Sequence, residues 1–130
     1  MPQHLAHVAI VVKDYDEAIF FYTQKLHFKL LEDTILSDTK RWVLVTPPGS
    51  SSCSLLLAKA ATEEQRVRVG NQTGGRVFLF LHTDNFQRDF DNLLQHRIKI
   101  VRGPVDELYG TVAVFEDLYG NLWDLIEPKS

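Results

Sequence analysis

The same order of secondary-structure signals is written twice in this chain, and that duplication limits its fold more than any other feature. The first copy opens on an apolar run, HVAIVV (7–12). A helix-start signal follows at DYDE, where Asp14 is placed to cap and Glu17 stands three residues on. Ala18, Phe21, Tyr22 and Leu26 then recur at the spacing of one helical stripe. The second copy opens on RVFLFLHT (76–83), repeats the cap spacing with Asp84 and Gln87, and continues with a stripe of Phe86, Phe90, Leu93 and Leu94. Each helix precedes three strand-like runs. In the first half these are FKLLEDTIL, RWVLVTP and SCSLLLAK; in the second they are IKIVRGP, TVAVFE and NLWDLIE. A polar segment, TEEQRVRVGNQTGG (62–75), joins the halves.

The order is therefore βαβββ, twice: module one at about 1–61, a linker at about 62–75 and module two at about 76–130. Neither module is long enough to bury a sufficient core alone. A single α+β domain over 1–130 is expected, with curved mixed sheets enclosing a cavity and the helices outside.

Within NLWDLIEP one residue breaks the apolar pattern. Strand alternation places Asp124 on a face with Leu122 and Ile126, and Trp123 with Leu125 on the other. An aspartate there is costly unless something uses it. The preceding FEDLYGN reads as turn chemistry, with Gly120 and Asn121 able to take positive φ.

Hydrophobic residues make up 45% of the chain and charged residues 24%, which favours a packed core over disorder. The formal charge of −3 argues against nonspecific binding to nucleic acid or an anionic membrane. The apolar run Val8–Val12 is too short for a signal peptide or membrane span, so a cytoplasmic protein is expected. The single cysteine, Cys53, excludes an internal disulfide and a cysteine metal cluster, and reads as a small strand residue. No G-x-G-x-x-G, P-loop or G-x-S-x-G motif supports a nucleotide-binding or serine-hydrolase function.

The segments HVAIVVKDYDEAIFFYTQKLHFKLLED and TVAVFEDLYGNLWDLIEP resemble the entry and closing motifs of the vicinal oxygen chelate superfamily, the glyoxalase/bleomycin-resistance/extradiol-dioxygenase group. The resemblance spans nearly the whole chain and implies paired βαβββ modules, usually in a homodimer. It also implies metal ligands on the first strand of each module and a carboxylate on the last strand of the second. His7, seven residues before Asp14, matches the first position and Asp124 the closing carboxylate. The second histidine position, placed six residues before Asp84, falls on Phe78; a further ligand position falls near Leu56. That leaves His7 and Asp124 as an incomplete set for a divalent Zn, Fe, Mn or Ni ion, with His82 as a distant third nitrogen. His27 stands where the motif usually has glycine and is expected in a turn with positive φ. His4 reads as solvated, and His96 as a helix-end residue.

Two functions follow from the resemblance. One is a metal-dependent lyase, isomerase or dioxygenase acting on vicinal oxygens. The other, favoured by the apolar residues at two ligand positions, is a binding protein with no tightly held cofactor. Its cavity would be lined by Phe78 and Phe80 (Trp42 and Trp123 being core or wall), with His7, His82 and Asp124 as polar groups. His7 and Asp124 are expected to face one cavity, close enough to interact.

Overall fold

The computed structural model describes residues 2–50 and 53–129. Two units, Met1–Val69 and Gly70–Ser130, each carry one four-stranded sheet.

In the first unit β1 (His7–Val12) leads into α1 (Tyr15–Phe20), which continues as a π-helical turn at Phe21–Lys25. Then come β2 (Lys29–Ile35), β3 (Arg41–Thr46), β4 (Ser54–Lys59) and a short α2 (Glu63–Arg66) within the segment expected to be linker. The strand order is β1-β4-β3-β2, with β1 parallel to β4 and the other pairs antiparallel. The second unit repeats it: β5 (Val77–His82), α3 (Phe86–Gln95), β6 (Ile100–Glu107), β7 (Gly110–Glu116) and β8 (Leu122–Pro128), ordered β5-β8-β7-β6. β5 runs parallel to β8, so both sheets are mixed as the duplication predicts.

Each sheet buries one face under its helix. In the first, Ile10, Val12, Val43, Val45, Leu55 and Leu57 are buried, as are Tyr15, Ala18, Phe21 and Tyr22 of the helix. In the second, Ala113, Phe115, Trp123 and Leu125 are buried, as are Phe86 and Leu93 of α3. Each such large side chain contributes about 1.5–3 kcal/mol on leaving water. Leu94 departs from the expected stripe and is exposed.

The caps explain where the helices begin. Asp14 caps α1 as expected, its Oδ2 accepting the Glu17 amide at 2.8 Å. In the second unit the cap is Asn85, one residue beyond the expected Asp84; its Oδ1 accepts the Arg88 amide at 3.1 Å. Asp84 instead meets the Arg88 guanidinium at 3.1 Å. Seven residues back from Asn85 is Phe78, the same interval that separates His7 from Asp14. His27 has the expected positive φ of 61°, and His96 closes α3.

The β7–β8 turn is organised by Asp117, which is 6% exposed. Its Oδ1 accepts the amides of Tyr119, Gly120 and Asn121 at 3.1, 3.1 and 2.9 Å. Its Oδ2 accepts from Asn121 Nδ2 at 3.0 Å and Trp123 Nε1 at 3.2 Å. Gly120 supplies the positive φ of 108°. Asn121 does not, contrary to the expectation: it is buried as a bridge whose Oδ1 accepts the Gln72 amide at 3.2 Å. Replacing Asp117 with Ala strands these buried donors, and is expected to cost about 3 kcal/mol or more in a urea melt. Asp117→Asn should cost less, because Oδ1 keeps its three amides; equal stability of Asp117→Ala and the parent would refute the role.

Candidate functional site

Strand register aligns the two sheets residue by residue. Across the first, Ala9 pairs with Leu56 and Leu56 with Leu44. Across the second, Phe80 pairs with Asp124 and Asp124 with Val114. Leu56 and Asp124 therefore hold equivalent positions. Both lie on the face turned away from the helix, since Leu55, Leu57, Trp123 and Leu125 take the other.

On β5, Phe80 and His82 share this open face with Asp124, and both are exposed. Phe80 is 62% exposed and directly beside Asp124. Phe78 is half-buried at a register shift between Val77 and Leu79. His82 pairs with Ile126, one step further along the strand. His7 lies in the first unit, and its Nδ1 is 2.7 Å from the hydroxyl of Ser54, a buried residue. The His7 ring meets Trp42 edge-on, with centroids 5.9 Å apart. Trp123 belongs to the core side of its sheet. Cys53 immediately precedes β4 and is half-buried.

Asp124 is the anomaly. Its Oδ1 is buried with no hydrogen-bond partner among the described residues. Desolvation raises the carboxyl above its ordinary value of 3.8, and the charge of Arg102 acts in the opposite sense. Beside it is a cavity of about 250 Å³ lined by Arg102, Val105, Glu107, Tyr109, Val114 and Asp124, among others. It opens toward β6 and β7, on the opposite side of Asp124 from Phe80. β6 makes room through register shifts on either side of Arg102. Gly103 permits this: its φ is 90°, and a side-chain carbon there would come within 2.8 Å of the Val112 carbonyl. Sequence reading missed Glu107, because IKIVRGP seemed to end at its proline whereas β6 runs on to Glu107; Arg102 lies inside that run and Tyr109 just past the strand, and no motif marked either.

The ligand positions implied for a metal are His7, Phe78, Leu56 and Asp124. The side chains of Phe78 and Leu56 have no atom that can coordinate, and a divalent ion ordinarily takes three or more protein ligands. Among the described residues no group of three or more His, Cys, Asp or Glu is placed to hold one. The residues present do not fit the metal.

Known proteins share this architecture. The crystal structure of UcmS2 superposes with a TM-score of 0.85 at 31% identity, covering 98% of this chain and 99% of that one. TnmS3, an antibiotic binding protein from Streptomyces sp. CB03234, gives a TM-score of 0.78 at 27% identity over 98% of each chain. An uncharacterized protein of Shewanella frigidimarina (strain NCIMB 400) is 59% identical over 128 residues, which is 98% of this chain and 95% of its own. The family model for the Glyoxalase/Bleomycin resistance protein/Dioxygenase superfamily matches residues 4–125, and the chain belongs to that superfamily.

Linkage gives the sign of a pH effect. Asp124 holds its proton more tightly in the folded chain than in the unfolded one. Its contribution to stability is thus fully present below 3.8 and is lost as pH rises through the folded value. Asp124→Asn removes this loss. Paired melts from about pH 3 to about pH 7 should show the variant gaining on the parent as pH rises, and a pH-independent difference would contradict the burial argument.

Proposed function

We propose that this chain binds a small organic molecule against the open face of its second sheet, with Asp124 as the polar anchor and without a complete metal site. The orphaned Oδ1 of Asp124 carries the reading. A buried acceptor left unpaired costs about 1–3 kcal/mol, and a ligand donor removes that cost. The antibiotic binding stated for TnmS3 supports the same class of function. Phe78, Phe80 and His82 on β5 are proposed as the ligand's wall. The two units are taken to form one cytoplasmic domain.

Elemental analysis of untagged, dialysed protein is expected to give substoichiometric Zn, Fe, Mn and Ni. A thermal-shift screen of small aromatic compounds is expected to give hits that Asp124→Leu loses. About one metal ion per chain would replace this reading with the metal-dependent lyase, isomerase or dioxygenase.

A homodimer is proposed as the working state. Ile35, Leu36, Leu108 and Tyr109 are exposed at or beside the outermost strands, where association would cover them. Sedimentation at micromolar concentration should give the mass of two chains; monomer alone would remove the dimer from the proposal.

A further inference from the structure

We propose that the group seated on Asp124 is an amine, making the ligand a small organic cation with an apolar body. This rests on the reading of Asp124 as the ligand's anchor. At about 250 Å³ the cavity is somewhat smaller than the usual pocket for a drug-sized molecule. It takes a small ligand or the tip of a larger one.

The floor is apolar, formed by Val112 and Val114, and suits a hydrocarbon or aromatic body. The polar lining is unbalanced: Asp124 and Glu107 supply two carboxylates against the single guanidinium of Arg102. The excess acid charge favours a cation over an anion. Tyr109, also in the lining, carries an aromatic ring, a group whose face attracts cations. An ammonium group brings up to three donors and no acceptor, which answers an orphaned carboxylate oxygen. A carboxylate or phosphate ligand would gain Arg102 but leave Asp124 Oδ1 without a donor. A neutral alcohol would satisfy Oδ1 but leave the excess charge unanswered. Arg102 is exposed, so its charge opposes a bound cation from the solvent side.

Three probes with one aromatic body separate these cases: naphthylmethylamine, naphthylmethanol and naphthoate, titrated calorimetrically into the full chain. The amine should bind at least about tenfold more tightly than the other two, and Asp124→Asn should weaken it by about tenfold. Arg102→Gln should tighten the amine a few-fold, a gain that a merely structural arginine would not produce. Circular dichroism and melts establish that both variants are folded. Preferential binding of naphthoate, lost in Arg102→Gln, would overturn the amine assignment and leave the ligand-binding reading standing. Equal amine affinity in the parent and Asp124→Asn would also overturn it. If none of the three binds, the amine assignment falls, and the thermal-shift screen with Asp124→Leu decides the broader reading separately.

Discussion

The second sheet depends on how the carboxylate of Asp117 is satisfied. Folding buries it, and burial without partners would be prohibitive. At least five N–H donors converge on its two oxygens, three from the turn backbone and two from side chains. One donor is the indole of Trp123, which fixes that ring on the helix side of β8. Once Trp123 is held there, alternation commits Asp124 to the opposite face. A slip of one residue would exchange the two, placing the indole in the open and a carboxylate against α3. The turn therefore sets the direction of the candidate anchor as well as the hairpin.

Duplication supplied two copies of one sheet, and the register shows how their open faces diverged. In the first copy His7 pairs with Ser54, a polar contact between neighbouring strands. The equivalent of His7 is Phe78, and the equivalent of Ser54, two residues before Leu56, is Leu122. In the second copy the polar residue sits two positions further on, at Asp124, where the first copy has Leu56. Each sheet carries a polar residue where the other carries an apolar one. The backbone accommodates either choice, because the buried residues of the helix-facing side, such as Leu55 and Leu57 in one sheet and Trp123 and Leu125 in the other, hold the register in both.

Much of this was legible because strong periodic signals encode it. The strand–helix–three-strand order, the Asp14 cap, the turn at His27 and the face of Asp124 all follow from alternation, cap chemistry or positive-φ tolerance. The misses share a different cause. The spacing to Gln87 pointed to Asp84 as the cap, but its neighbour Asn85 is equally competent and takes the position; the Arg88–Asp84 ion pair accompanies that outcome. Asn121 reads as a turn former, but its role depends on Gln72, 49 residues away. Arg41 shows the same limit. Its guanidinium joins Asp33 of β2 to Asp16 of α1 and lies 5.1 Å from the Tyr15 ring, contacts formed only by tertiary packing. The cavity depends on how β6 bends past Gly103, and a Gly-Pro pair in sequence suggested an end instead of a bend.

Asp117 and Asp124 are two carboxylates on one hairpin with opposite local logic. The oxygens of Asp117 are occupied by partners the fold provides, so its charge is part of the fold's own structure. Asp124 has Phe80 on one side and Val114 on the other, with Arg102 next in the row. A leucine would suit that row, as Leu56 does between Ala9 and Leu44 in the sister sheet. Apolar replacement of a buried ionic group is often neutral or stabilising. Packing thus supplies no reason for an aspartate at this position, and among the described residues no hydrogen bond to Oδ1 supplies one either. Places where a locally consistent fold breaks its own pattern are characteristically functional ones. The missing donor is then best sought outside the chain, on a molecule small enough for the space between Asp124 and β6.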